Sequence, residues 1–364
     1  MKLGVVGGGQ LGRMLAQAAL PLGIETKFLD PSAQSCAAAA GQLICAAYDD
    51  AEGIQQLSEG VSAVTFEFEN VPPLTVEKLS QSLPAYPPAN ALATARDRWV
   101  EKSMFRDLGI DTPAFEKIDD QETLDAAVER LGCPAVLKTR TLGYDGKGQK
   151  VLRSTQDAAG AFAFLGSVPL IMESFVEFEY EVSCIGVRSA SGDCVFYPLI
   201  HNEHRQGILY RSQPILNSSL QSQAESVVKK VMDSLNYVGT LAFEFFVKDD
   251  QLIANEIAPR VHNSGHWTIE GSATSQFENH VRAVAGLPLG STETRGDVAM
   301  YNIIGKLPVI EKILAIPGVH LHNYGKSERA GRKIAHLTVT SESAEQLNSR
   351  CSQVEALLVN DLGV

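Results

Sequence analysis

The sequence predicts a multidomain α/β (α+β) protein, and three stretches carry that reading. Residues 1–30 run strand, glycine-rich turn, helix, strand; Leu241–Asn263 shows two apolar runs around a polar break; and about the last seventy residues alternate like short strands around a basic tip. At 364 residues, 45% hydrophobic and 20% charged, the chain has the composition of an ordinary globular protein with room for two or three domains.

Charge and cysteine usage narrow the function classes. A net charge of −12 argues against a general nucleic-acid surface, so any anionic ligand must be held by local basic clusters. Cys36, Cys45, Cys133, Cys184, Cys194 and Cys351 form no CxxC pair and no regular spacing, which favours a reducing compartment over a disulfide framework. The N-terminus enters a strand directly, without a signal-peptide pattern, and no apolar run is long enough for a transmembrane helix. The cytoplasm is the expected compartment.

From the start of the chain, strand Leu3–Val6, a helix over 10–20 and strand Glu25–Leu29 ending at Asp30 form a Rossmann-like βαβ unit. Gly7-Gly8-Gly9-Gln10-Leu11-Gly12 fits G-x-G-x-x-G, a dinucleotide fingerprint; tight turning beside a helix N-terminus open to any anion explains it equally well. Strand Ala63–Phe68 runs into Glu67-Phe68-Glu69-Asn70, where open α/β sheets bind ligands, and Glu67 is expected to contact one. A helix and the proline-rich LPAYPPAN then lead to a single helix over 94–108, with Arg96 near its start.

A helix at Gln121–Leu131 and a strand at Ala135–Lys138 precede a glycine-rich hairpin loop, Thr139–Gln149, and a strand at Lys150–Leu152. Lys138 before the loop and Lys147 within it, with amides bared by glycine, suit phosphate coverage; the Walker pattern is absent, and a flexible hairpin is the plainer alternative. Farther on, Glu173-Ser174-Phe175-Val176 reads as a hinge, and the next strand carries Glu179 and Glu181 on one face. His201 and His204 are too few ligands for zinc.

After an amphipathic helix at Leu220–Leu235, LAFEFFV and LIANEIA flank Lys248-Asp249-Asp250-Gln251 as an antiparallel hairpin. An odd-length loop, Asp249–Gln251, would set Glu244 opposite Glu256 on one face, and two buried carboxylates with Asn255 beside them suit magnesium; an even register would send one acid to solvent. Arg260 and His262 follow one alternation apart, so an anion is expected beside the metal. A helix over 275–285 and Gly286–Gly290 close the domain. In the C-terminal unit, Lys326, Arg329, Arg332 and Lys333 precede the strand Ile334–Thr340; this is the densest basic cluster of an acidic chain and reads as a phosphate-capturing tip or as a solvated hairpin end. The expected divisions are 1–97, 98–296 with a lid at about 135–175, and 297–364.

Assembled in order, the βαβ unit, Lys138, GYDGKGQ, ESFV, and Glu244 with Asn255-Glu256 resemble the ATP-grasp superfamily over essentially the whole chain. More closely, GGGQLGRML, FEFENVP, GYDGKGQ, NEIAPRVHNSGHWT and YGKSERAGRKIAHL resemble the N5-carboxyaminoimidazole ribonucleotide synthetase family of de novo purine synthesis. The resemblance implies an N-terminal Rossmann-like domain, a central ATP-grasp domain with a mobile glycine-rich lid, and a small β-rich C-terminal domain. It also implies carboxylation of 5-aminoimidazole ribonucleotide (AIR) by ATP and bicarbonate through carboxyphosphate, with magnesium, without NAD or biotin, in a homodimer.

By position, the resemblance assigns ATP to Arg96, Lys138, Gly143, Tyr144, Asp145, Gly146, Lys147, Gly148, Gln149, the hinge Glu173, Ser174, Phe175 and Val176, then Glu181, His204, Asn255 and Glu256. Metal falls to Glu244 and Glu256; catalysis to Asp145, Arg260, His262 and Lys326; and AIR to Gln10, Leu11, Glu67, Tyr144, Asp145, Arg329, Arg332 and Lys333, with Lys326 also on its phosphate. Competing readings are a ligase of the same superfamily using formate or an amino acid, an NAD-dependent oxidoreductase resting on Gly7–Gly12 and Asp30, and a nucleotide-binding regulator without turnover.

Overall fold

In the computed structural model the described residues are 1–143 and 148–362. Strands β1 (Lys2–Val6), β2 (Glu25–Asp30), β3 (Gln42–Cys45) and β4 (Ala63–Phe66) form a parallel sheet in the order β3-β2-β1-β4. β1 and β4 are mostly apolar and β2 is buried through Phe28 and Leu29, which suits burial on both faces, with α1 (Gln10–Ala19), α2 (Ala51–Ser58) and α3 (Pro73–Ser80) as the crossovers or cover. Gly7 takes φ +102° in the first turn, and a Cβ at Gly9 would lie 2.5 Å from Glu67 Oε1, so the glycines let the turn close on that carboxylate.

The single helix expected over 94–108 is two helices, α4 (Ala89–Arg96) and α5 (Arg98–Asp107). Asp97 breaks it, with φ −122° and ψ 107°; its carboxylate accepts the Trp99 amide at 2.9 Å as an N-cap and pairs with Arg140. A small antiparallel sheet follows: β5 (Phe115–Ile118), α6 (Gln121–Leu131), β6 (Ala135–Thr139), β7 (Gln149–Leu152), α7 (Ala161–Phe164) and β8 (Leu170–Ser174), with strand order β5-β8-β6-β7. This sheet takes in residues 115–118, upstream of the lid stretch read from sequence.

The remaining strands build one nine-stranded sheet. In chain order its elements are β9 (Tyr180–Arg188), β10 (Cys194–Phe196), β11 (Ile200–Arg205), β12 (Ile208–Pro214), α8 (Gln221–Ser234), β13 (Gly239–Lys248), β14 (Gln251–Ala258), α9 (Thr268–Gly271), α10 (Gln276–Val284), β15 (Asp297–Ile304), α11 (Ile310–Leu314), β16 (Val319–Asn323), β17 (Lys333–Ser341) and α12 (Ala344–Leu362). The order β14-β13-β9-β11-β12-β15-β17-β16, with β10 on β9, means that the C-terminal strands continue the central sheet through β12 and β15. Phe105 of α5 stacks on Phe243, and Val228 and Val231 of α8 bury against the same face, which seats both helices on β13.

The β13–β14 hairpin departs from expectation in its turn and meets it in its pairing. Lys248 pairs with Gln251, so the loop is the two-residue Asp249-Asp250, both at positive φ (+50° and +56°), as a tight hairpin turn requires. That even register would put the acids on opposite faces. A β-bulge corrects it: Phe245 pairs with Ala254 but Glu244 with Glu256, leaving Asn255 as the extra residue. Among the described residues no helix is long and apolar enough to cross a membrane.

Candidate active site

The three sheets enclose a cleft of about 1010 Å³. Glu244, Asn255 and Glu256 lie on its wall. Burial, then the facing Glu256, raises the Glu244 pKa, the expected response of a buried like-charge pair. His262 Nε2 sits 3.2 Å from Glu244 Oε1 and its Nδ1 2.8 Å from Ser264 Oγ. Gln276 holds the His262 backbone from both sides, accepting its N–H at 2.9 Å and donating to its carbonyl at 2.6 Å. Burial, with Arg260 beside it, keeps this imidazole well below the usual histidine range and hence neutral at pH 7. The donor set suits a hard divalent cation: two carboxylates and an amide oxygen, too few to enclose the ion without ligand oxygens. Among the described residues no group of three or more His, Cys, Asp or Glu is arranged to hold a metal alone.

At the small sheet, Lys138 lines the cleft with Nζ 3.1 Å from Glu173 Oε2, and Lys102 Nζ approaches the same oxygen to 3.6 Å. Burial alone would raise the Glu173 pKa, but the two ammonium groups outweigh it and bring it to about 2. Glu173 is therefore a buried counter-ion behind Lys138 and not part of the wall. Of the other expected hinge residues Phe175 lines the cleft, whereas Ser174 and Val176 do not; the amides of Ser174 and Phe175 donate to Ala114 O (2.8 Å) and Pro134 O (3.1 Å). Gly143 and Gln149 flank the loop mouth, and Gly148, at φ +71°, packs on Thr139. Tyr144, Asp145, Gly146 and Lys147 lie outside the described residues.

Arg96 reaches the wall, and so does Arg98, which sequence reasoning missed. Arg98 donates to Thr139 O (3.0 Å) and Gly143 O (3.1 Å) and stands 3.8 Å from Glu256 Oε2, so it joins the loop base to the carboxylate pair. The available signal was the Asp97-Arg98 dipeptide, where an N-capping acid starts a new helix. Glu181 and His204 meet on the wall at 3.2 Å; burial depresses the imidazole pKa, but the Glu181 carboxylate raises it further. His201 points elsewhere, exposed against Tyr180, so the H-x-x-H pair does not converge.

Opposite lie the basic residues. Lys326, Arg329, Arg332 and Lys333 line the cleft near Gln10 and Leu11 of α1; Lys326 Nζ donates to Gln10 Oε1, and Arg332 donates to Ser327 Oγ at 2.7 Å. Arg260 pairs with Glu69, whose carboxyl burial would raise but the guanidinium holds low. The expectation for Glu67 needs correction. Its carboxylate is buried on the amides of Gly9 and Gly12 (2.6 Å for Gly12), satisfying the orphan N–H groups at the start of α1, and Glu69 faces the cleft instead. Asp30, the acid of the dinucleotide fingerprint, is likewise engaged, accepting from the Gly8 amide (2.8 Å) and the Tyr48 hydroxyl (3.0 Å).

Known proteins match the chain throughout. Family models match for a ribonucleotide synthetase preATP-grasp domain at residues 1–96, an ATP-grasp domain at 103–277 and a phosphoribosylaminoimidazole carboxylase C-terminal domain at 298–350. N5-carboxyaminoimidazole ribonucleotide synthase of Pseudomonas aeruginosa is 57% identical over 358 residues, covering 98% of this chain and 99% of that protein. The crystal structure of N5-carboxyaminoimidazole ribonucleotide synthetase from Thermus thermophilus superposes with a TM-score of 0.94 at 47% identity, covering 98% of each chain. That of the synthase from Aspergillus clavatus in complex with ADP and 5-aminoimidazole ribonucleotide gives 0.91 at 30% identity, covering 99% of this chain and 98% of that one. Alike in sequence and fold to these relatives over nearly its whole length, the chain belongs to the N5-carboxyaminoimidazole ribonucleotide synthase family and is an ATP-grasp ligase.

Proposed function

We propose that this chain carboxylates the amino group of AIR with ATP and bicarbonate, giving N5-carboxyaminoimidazole ribonucleotide, ADP and phosphate, as a cytoplasmic step of de novo purine synthesis. The observation that carries this reading is the Glu244–Glu256 pair facing a cleft with Lys138 at one end and Arg329, Arg332 and Lys333 at the other. A triphosphate and a nucleotide monophosphate both need cations, and in a chain of net charge −12 the cleft concentrates them.

Glu244 and Glu256, with Asn255 beside them, hold magnesium, which when bound neutralises charge on the transferring phosphoryl group. Lys138 and Arg98 orient the phosphates, and Glu181 with His204 takes the ribose end of ATP. Bicarbonate oxygen attacks the γ-phosphorus, ADP leaves, and carboxyphosphate forms beside Arg260. Its guanidinium, kept charged and oriented by Glu69, stabilises the anion. The AIR amine then forms the C–N bond at the carboxyl carbon, directly or after CO₂ release; phosphate departs, and the amine proton passes to one of Asp145, His262 or Lys326. A neutral His262 can accept it. The basic tip holds the 5′-phosphate of AIR, with Gln10 and Leu11 near its imidazole.

The test is ADP release by the purified chain with ATP, Mg²⁺, bicarbonate and AIR, omitting each in turn. Release that needs all of them is expected. Release that needs formate or an amino acid and ignores bicarbonate with AIR would move the reading to another ligase. ATP binding without release in any combination would make the chain a regulator, and NADH fluorescence enhancement would revive the oxidoreductase.

A further inference from the structure

The bulge that turns Glu256 into the cleft lies on β14, an edge strand of the central sheet. An edge strand has no ladder partner for its outward backbone groups, and a bulge weakens the ladder on its inner side as well. Here the outward groups on both sides of Asn255 are taken by α5 and the chain after it. Lys102 Nζ donates to Ala254 O at 3.0 Å, Thr112 Oγ1 donates to the same oxygen at 3.0 Å, and the Ala254 amide donates to Asp111 O at 2.7 Å. Beyond the bulge, Glu101 Oε1 accepts the Ile257 amide at 2.7 Å.

Both side chains are buried, although charged groups are costly to bury unless paired. Lys102 also stands 3.6 Å from Glu173 Oε2, the oxygen that accepts from Lys138 at 3.1 Å, while Glu173 Oε1 is buried without a hydrogen-bond partner. One ammonium thus touches both the strand that carries Glu256 and the counter-ion that holds Lys138.

We infer that Glu101 and Lys102 are positioning residues for phosphoryl transfer. They clamp the β14 bulge so that Glu256 faces the cleft, and Lys102 ties that bulge through Glu173 to Lys138, so that the carboxylate end and the lysine end of the triphosphate site keep one spacing. Lys102 lies behind the cleft wall, and Glu101, which is on it, need not touch a ligand to do this. The inference rests on the reading of the cleft as a magnesium–ATP site and adds the residues that hold its two ends in register.

The experiment uses the full chain and variants Lys102→Met, Glu101→Gln and Glu101→Leu. It measures ADP release against ATP, free Mg²⁺ and AIR, and ADP binding by calorimetry with and without Mg²⁺, which needs no turnover. Lys102→Met and Glu101→Leu should each raise the KM for ATP, the Mg²⁺ requirement and the Kd for ADP in Mg²⁺ by about tenfold or more, as loss of a supporting contact does. The KM for AIR should stay within about twofold, and Glu101→Gln, which retains an oxygen for the Ile257 amide, should restore near-wild-type constants. Unchanged constants in Lys102→Met, or an equal rise for ATP and AIR, would overturn the inference. Should Lys102→Met not fold, Glu173→Gln carries the same test, with the same selective rise expected and an equal rise in all constants counting against. Wild-type protein that neither releases nor binds ADP would remove the ligase reading itself, and the clamp with it.

Discussion

Glu67 and Glu69 stand two residues apart beyond β4, yet the first closes on the amides of Gly9 and Gly12 while the second meets Arg260 at the cleft. Alternation puts such a pair on one side of an extended chain and cannot choose between them. The choice comes from the helix N-terminus of α1, more than fifty residues upstream, whose unpaired N–H groups claim the nearer carboxylate. The same scale decides two functional predictions. Glu256→Gln removes a formal charge from the carboxylate pair proposed to hold magnesium while keeping its volume; ADP formation should fall on the order of a hundredfold, with an unchanged circular dichroism spectrum. Wild-type turnover would contradict the metal assignment. Arg332→Ala should raise the KM for AIR but not for ATP, at a cost of about 1.5–3 kcal/mol for a lost charge-assisted contact. Equal effects on both substrates would make the tip a surface feature.

At the scale of elements, the hairpin and the α4–α5 junction carry the site. Deleting Asn255 removes the bulge but leaves Glu256 directly opposite Glu244 in the continued even register, on the same face, so that only the Asn255 amide between Ala254 and Glu256 is lost. The Mg²⁺ requirement for ADP release should rise while turnover and the cooperative urea transition persist; an unchanged Mg²⁺ requirement would take Asn255 out of the proposed donor set. Asp97→Ala takes the N-cap from α5 and the partner from Arg140, so denaturant titration should show about 1–2 kcal/mol lost stability. The apolar positions of Thr94–Leu108 read as one helix. Only the pull of Arg140 and the capping of Trp99 N–H separate Arg96 from Arg98, the arginine that reaches both Gly143 and Glu256.

For the whole molecule, His280 joins the N-terminal sheet to the central one: its Nε2 lies 2.8 Å from Thr65 Oγ1 on β4, and its Nδ1 accepts the Thr240 amide on β13 at 3.1 Å. That amide bond assigns the ring as neutral with the proton on Nε2. Burial lowers its pKa to about 4, from about 6.5 in an unfolded chain. Between those values the unfolded state binds the extra proton, so the contribution is intact above about pH 6.5 and is lost as pH falls toward about 4. The loss approaches roughly 3 kcal/mol at a slope of at most about 1.4 kcal/mol per pH unit. Relative to wild type, His280→Gln should therefore lose about one proton's worth of the acid-side fall in urea midpoints measured from pH 7 to 5. An unaltered slope would show that His280 is not held neutral. His262, His266 and His336, also depressed by burial, add to that slope, whereas the buried carboxyls of Glu101 and Glu244, both raised to about 8, oppose it.

What the sequence determined alone is whatever local periodicity and local chemistry encode. The parallel βαβ start, the glycine-rich loop after Lys138, two acids in apolar strands and a basic hairpin tip each need only a short window, because backbone propensity and alternation act within it. Tertiary structure decided the rest. The capture of Glu67 by α1, the placing of Arg98, the grip of Glu101 and Lys102 on the β14 bulge, and the union of β12 with β15 all join segments far apart in the chain. Each is settled by which distant backbone group or charge remains unpaired when the sheets come together, and no short window contains both partners.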